Sequence, residues 1–348
     1  MLTERQLLIL NLIIDHYVEH GEPIGSNTLL EESNLPVSPA TIRNEMMRIE
    51  ELGFLKKMHS SSGRIPSILG YRHYVDQLMA KKRELSFEDI RKQVQASLRV
   101  PYKEAQEIVE SSAELLSYMT NYTALSIGPE KTNSRLTGFR LVPVTKGQFM
   151  AILVTDKGYV ESKILTIPHA ISAAKIQKMV NIFNEELVGL KLMDVHNKLQ
   201  VEIPRIIDKF VGNEIDLHAI FRGILSKMDS ERIYVGGEMN LLNYFNFEEV
   251  NQREKIKSIY NLIHESKDLQ ELLVPDHNDI SVRIGTEMGN DLLSNFSLIT
   301  ASYDSGHNGK GLIALLGPTN MPYEQTINIM RIMRDELSDS MHGFYQNE

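Results

Sequence analysis

Apolar residues recur every three to four positions at the start of the chain. Leu7, Leu10, Ile14, Tyr17 and Val18 share one helical face between Thr3, a possible cap, and Gly21, with Pro23 just beyond. A second short helix is expected from Ser26 to Glu32, followed by a turn over Ser33-Asn34-Leu35-Pro36. The third helix begins at Ser38, an N-cap residue, with Pro39 at the first helical position, where its missing N–H costs nothing. Gly53 suits the residue just past its end. Phe54 to Met58 then reads as a strand, His59 to Arg64 as a tight polar turn and Ile65 as the start of a returning strand. Pro66 and Ser67 lead into a helix from Leu69 to Arg83.

Residues 84–100 are polar and helical, with the look of a linker, and Tyr102 to Thr120 is another helix. The period then shortens to that of strands: Tyr122–Ile127, Arg135–Val144, Gln148–Thr155 and Tyr159–Ile167, separated by Gly-Pro and Lys-Gly pairs. Helical text returns at Ser172–Leu187, Ile203–Phe210, Leu217–Ser226, Lys255–Ser266 and Asp268–Leu273, with a short Ile233–Val235 run among it. Strands resume at Ile280–Ile284, Phe296–Tyr303 and Leu312–Leu316, before a last helix from Tyr323 to Met341. This order predicts a multidomain α+β chain. It fits one sheet domain interrupted by an insertion, or two separate α+β domains.

Composition narrows the function classes. The chain has 348 residues, 42% hydrophobic and 24% charged, ordinary for two or three globular domains. With no cysteine, disulfides, thiolate metal sites and cysteine nucleophiles are excluded, which fits a reducing cytoplasm. Neither a signal peptide nor a membrane helix is expected. The net charge of −9 speaks against a polybasic binder, but it is unevenly spread. Residues 1–51 hold nine acids and three bases, whereas 52–83 hold Lys56, Lys57, Arg64, Arg72, Lys81, Lys82 and Arg83 against Asp76 alone.

Three helices, a strand, a polar turn and a strand are the order of a winged helix-turn-helix, whose third helix enters the major groove. At about 100° per residue, Ile42, Met46 and Ile49 face the core. Ala40, Thr41, Asn44, Met47 and Arg48 lie opposite, with Arg43 on the flank. Asn can bond adenine and Arg guanine in bidentate fashion. Ser38 caps the helix end that would approach phosphate. Lys56, Lys57 and Arg64 are candidates for phosphate contact, Arg64 also for a minor groove, and His59 lies in the wing.

The stretches "LTERQLLILNLIIDHYVEHGEPIGSNTL", "VSPATIRNEMMRIEELGFL" and "HSSSGRIPSILGYRHYVDQLM" resemble the amino-terminal motifs of the heat-inducible transcription repressor HrcA family. "VRIGTEMGNDLLSNFSLITASY" and "GKGLIALLGPTNMPYEQTINIM" resemble its carboxy-terminal signature, and "YVGGEMNLLN" its middle segment. The resemblance departs at Pro39, usually Ser; at Ser60 to Ser62, usually Thr-Ser-Ala; and at Asn320, where Arg is common. It implies a homodimer on an inverted-repeat (CIRCE-type) DNA operator upstream of chaperone genes, supported by the GroEL chaperonin. It also implies a winged-helix domain (1–79), a helical linker (80–103), a GAF-like antiparallel sheet domain (104–167 and 278–348) and an inserted, mainly helical dimerisation domain (168–277). Thr41, Arg43 and Asn44 carry the expected base or phosphate contacts, Ile42 belongs to the core, and Gly63 serves the turn through a positive φ.

Other chemistry finds little support. "GHNGKG" at 306–311 lacks the first glycine and the final Ser/Thr of a phosphate loop. The histidines have no metal-ligand spacing, and no motif predicts turnover or a cofactor. A rival reading is a regulator that senses a small molecule in a sheet-domain pocket near Leu141, Ile152 and Ile313.

Overall fold

Thr3 and Gln6 open α1 (Glu4–His20) with a reciprocal cap: Thr3 Oγ1 accepts from the Gln6 amide, and Gln6 Oε1 accepts from the Thr3 amide at 2.9 Å. After α2 (Ser26–Ser33), Ser38 Oγ accepts from the Thr41 amide at 3.2 Å and starts α3 (Pro39–Glu51). Gly53, at φ +84°, stops it: its N–H reaches Glu50 O, and Phe54 N–H reaches Ile49 O at 3.1 Å. That double bond is the Schellman closure, which a Cβ at a positive φ would strain. β1 (Leu55–Lys57) and β2 (Arg64–Pro66) pair antiparallel with Lys56 opposite Ile65, and α4 (Ile68–Ala80) follows. The structure, a computed structural model, describes residues 2–33, 35–57, 63–80, 87–99, 104–129, 135–156, 160–166, 172–191, 194, 195, 198, 233–245, 252–265, 269, 272, 273, 280–306 and 309–346. His59, Lys81, Lys82, Arg83 and the helices expected at 203–210 and 217–226 lie outside the described residues.

The chain continues through α5 (Glu88–Leu98), α6 (Ala105–Thr120), β3 (Thr123–Ile127), β4 (Leu136–Thr145), β5 (Gln148–Thr155), β6 (Val160–Thr166), α7 (Ala173–Leu187), β7 (Ile233–Gly236), α8 (Gln252–Glu265), β8 (Ser281–Ile284), β9 (Phe296–Asp304), β10 (Lys310–Pro318) and α9 (Tyr323–Gln346). β7-β3-β10-β9-β8 form a five-stranded sheet, and β4-β5-β6 a separate three-stranded one. The large sheet is covered on both faces, as its near-continuous apolar strands require. Along β10, Ile313 and Leu315 join an apolar cluster with Ile327, Met330 and Met333 of α9. Ala314 and Leu316 join the opposite cluster, with Ile259, Leu262 and Ile263 of α8.

Chain segments group differently from the expected boundaries. One compact unit is Met1–Ile127, Ile233–Tyr303 and Leu312–Glu348; the other is Gly128–Arg232 and Asp304–Gly311. The strands expected to extend the large sheet, Leu136 to Thr166, sit instead in the second unit. The reason is that β3 is already paired on both edges, by β10 and by β7, so the sheet has no free edge there for β4. The short apolar run at 233–235, expected among the helices, supplies that competing strand. In the second unit Phe139, Ala151 and Leu153 are buried along with Met179 and Phe183 of α7. The Phe139 and Phe183 rings lie 5.1 Å apart. Described residues of this inserted unit are therefore strand and helix together.

The winged helix does not keep a core to itself. Ile9, Leu10 and Ile13 of α1, Ile42 and Ile49 of α3 and Val75 of α4 belong to the same cluster as Val282 and Ile284 of β8, and as Ile327 and Met330 of α9. Tyr71 and Tyr323 face each other at 5.8 Å. The stretch expected as a linker contributes as well: Val94 and Leu98 of α5 are buried in that cluster, and Arg99 Nη2 binds the buried Glu336 carboxylate of α9 at 3.0 Å.

Candidate nucleic-acid interface

Helix α3 separates its faces as the wheel expects. Ile42, Met46 and Ile49 are buried, whereas Ser38, Ala40, Arg43, Asn44, Met47 and Arg48 are exposed and Thr41 is half-exposed. Its first turn carries no acid, so the exposed amino end keeps its positive dipole. Arg43 and Arg48 have no ion-pair partner among the described residues. Thr41 is part of the cap, with its Oγ1 3.0 Å from Ser38 Oγ. The exposed face thus offers two guanidinium groups, one amide and a thioether.

A buried acid on the opposite side was not legible in the pattern. Glu45 is 8% exposed and accepts a hydrogen bond from Gln6 Nε2 at 2.9 Å, with Arg5 at 3.9 Å. Gln6 therefore caps α1 through one amide atom and clamps α3 through the other. A capping-box glutamine followed by an acid on the next-but-one helix is the only trace of this in the sequence, and it is weak.

The wing splits the expected cations. Lys56 and Lys57 are exposed, with Lys57 Nζ 3.8 Å from Glu50 and Lys56 without an ion pair among the described residues. Arg64 is different: only 13% of its side chain is exposed, and Nη2 lies 2.7 Å from Glu50 Oε2. It fastens β2 to the last turn of α3. Gly63 is also needed for another reason than the expected positive φ, which it does not have. A Cβ there would stand 2.4 Å from Ile24 O, because residue 24 bridges to residue 64 beside β2.

Arg72 of α4, counted in the basic cluster, points away from solvent chemistry. Its Nε donates to Glu287 Oε1 at 2.8 Å, and its Nη2 donates both to Glu287 and to Val282 O of the edge strand β8 at 2.6 Å. Asp76 accepts weakly at 3.4 Å. This guanidinium covers an unpaired edge carbonyl and ties α4 to β8.

The three residues expected near a small-molecule pocket belong to two different sheets. Leu141 and Ile152 belong to the three-stranded sheet, where residue 141 pairs with Ala151 and residue 152 with Arg140, so the two point to opposite faces. Ile313 lies in the five-stranded sheet, fully buried in its core. Among the described residues no helix is long and apolar enough to cross a membrane, and no group of His, Asp and Glu is placed to hold a metal.

Comparisons with known proteins agree with this architecture. The family model "HrcA protein C terminal domain" matches residues 106–327. The chain is 44% identical to a heat-inducible transcription repressor HrcA of Tetragenococcus halophilus, over 100% of this chain and 99% of the relative. It is 42% identical to that of Enterococcus faecalis, over 99% of each. A crystal structure described only as a hypothetical protein at 2.2 Å shares the fold, with a TM-score of 0.68 at 23% identity over 99% of both chains. The matches run through the winged helix, the five-stranded sheet and the inserted unit alike, so the chain belongs to the HrcA family of heat-inducible transcription repressors.

Proposed function

We propose that this chain represses transcription as a homodimer that places α3 in successive major grooves of an inverted-repeat operator of the CIRCE type. The observation that carries the reading is the outward face of α3: exposed Arg43, Asn44, Met47 and Arg48, with both arginines free of ion pairs among the described residues. Arg43 and Asn44 read bases; Ser38, Ala40 and Thr41 bring the helix amino end to phosphate. Lys56 and Lys57 add phosphate contacts, as does His59. Arg64 acts through Glu50, holding the wing against α3.

Two copies are needed because operator symmetry mirrors protein symmetry. The family resemblance places the dimerisation domain at 168–277. Favouring the inserted unit more broadly, Val142, Met150 and Ile164 align across one face of its sheet, with Val142 and Ile164 exposed. Support by the GroEL chaperonin, and its loss on heat stress, complete the proposal on the strength of family membership.

A gel shift with an inverted repeat and a scrambled control, with and without chaperonin, tests it. Binding is expected to be specific for the repeat and stronger with chaperonin. Equal binding to both DNAs sinks the operator claim. Full operator affinity by a monomer, shown by sedimentation at micromolar concentration, sinks the dimer claim.

A further inference from the structure

Helices α1, α4 and α9 line a partly open pocket of about 180 Å³ within the first unit. Its wall is polar where the surrounding core is apolar. Asp15 of α1 accepts a hydrogen bond from Tyr74 of α4 at 3.0 Å, and Glu324 of α9 stands close enough to repel the Asp15 charge. Arg331 lies two turns further along α9 than Glu324. Its described hydrogen-bond partners are both neutral: Asn328 Oδ1 at 3.4 Å and Met79 Sδ at 4.0 Å. Asn11 and Gln77 also line the pocket; their Oδ1 and Nε2 atoms are themselves buried and have no hydrogen-bond partner among the described residues. One is an acceptor and the other a donor.

We propose that this pocket is a binding site for a small zwitterion of amino-acid size, its ammonium group toward Asp15 and Glu324 and its carboxylate toward Arg331. Size and charge select that class. A cavity of roughly 150 Å³ holds a six-carbon ring, so this one holds a molecule of about six to eight heavy atoms. A simple anion would meet the two carboxylates. A simple cation would meet the guanidinium and leave it without a counter-charge. A neutral polyol would leave both sets of charges without a partner. A zwitterion matches both ends. Because the walls come from α1 and α4 of the winged helix and from α9, an occupant would tie the DNA-binding module to the sheet it packs on. That is a place from which a metabolite could bias operator binding.

The test is calorimetric melting of the full chain with glycine, alanine, serine, proline and β-alanine, each up to about 10 mM, against acetate, ethylamine and glycerol as controls. At a hundredfold excess over Kd, a true ligand is expected to raise Tm by about 5 °C in a saturable way. The rise should vanish in Arg331→Gln and Glu324→Gln and persist, weakened, in Arg331→Lys. Circular dichroism of the unliganded variants separates lost binding from lost folding; if Arg331→Gln does not fold, Glu324→Gln and Arg331→Lys decide. No saturable rise with any of the five zwitterions overturns the proposal. So does an equal rise with acetate, ethylamine or glycerol, or a rise that survives in a folded Arg331→Gln or Glu324→Gln.

Discussion

Arginines of the outer face of α3 and arginines of the wing and α4 meet opposite fates. Arg43 and Arg48 lie in a segment that is acidic in sequence, yet they reach solvent with no ion pair among the described residues. Arg64 and Arg72 lie in the basic segment, yet carboxylates take both: Glu50 for one, Glu287 for the other. The acids that made the first segment look hostile to DNA are partly occupied as well, Glu45 by Gln6 and Glu50 by Arg64. A charge count along the chain therefore does not say which cations are left free. What matters for an anionic partner is which cations remain unpaired on one face.

The sharpest way to break this contrast is to empty the α3 face. Arg43→Ala with Asn44→Ala is expected to weaken operator binding about 100-fold, since each base contact contributes roughly 1–3 kcal/mol. Melting should stay within a degree, because both side chains are exposed. Unchanged affinity would remove α3 from the interface.

Arg72→Ala should do the reverse. Loss of its hydrogen bonds to Glu287 and Val282 is expected to cost about 2 kcal/mol, read as a Tm lower by about 4 °C. The salt dependence of DNA binding should not move. A shallower salt slope would mean that Arg72 touches phosphate after all.

Lys56→Ala and Arg64→Ala form a matched pair in the wing. For Lys56, the slope of log affinity against log salt should fall by about 0.9 per site with no change in stability. For Arg64, stability should fall by about 1 kcal/mol while the slope holds. Identical behaviour of the two variants would erase the distinction between free and engaged cations.

The smallest effect concerns an acid of α1. Partial desolvation holds the Asp15 carboxyl above its usual 3.8, opposed by the Tyr74 hydrogen bond and reinforced by Glu324, although the residue as a whole stays exposed. The folded state thus binds this proton more readily than the unfolded one, and the ionised group disfavours folding at neutral pH. Asp15→Asn should raise Tm slightly at pH 7. The gain should shrink as pH falls through the folded-state value and vanish below about 3.8. A gain independent of pH would show that charge is not its cause.

Much of α3 was legible in the residues alone. Ser38, Pro39 and Gly53 set its ends, and the spacing of Ile42, Met46 and Ile49 set its inward face, because capping and helical period are local properties. Element types for most strands were legible for the same reason. Strand partnership was not. Residues 136–166 and 233–236 are equally strand-like in sequence, but only the second pairs with β3, since alternation specifies a face and not a neighbour. Nor could local pattern reveal that Gly63 stands against Ile24, that Gln6 binds an acid 39 residues away, or that Arg72 is spent on an acid 215 residues away. By itself the sequence determined where α3 starts, where it stops and which side faces inward. Tertiary structure alone decided which charges stay free, because ion pairing depends on distances that folding creates between segments remote along the chain.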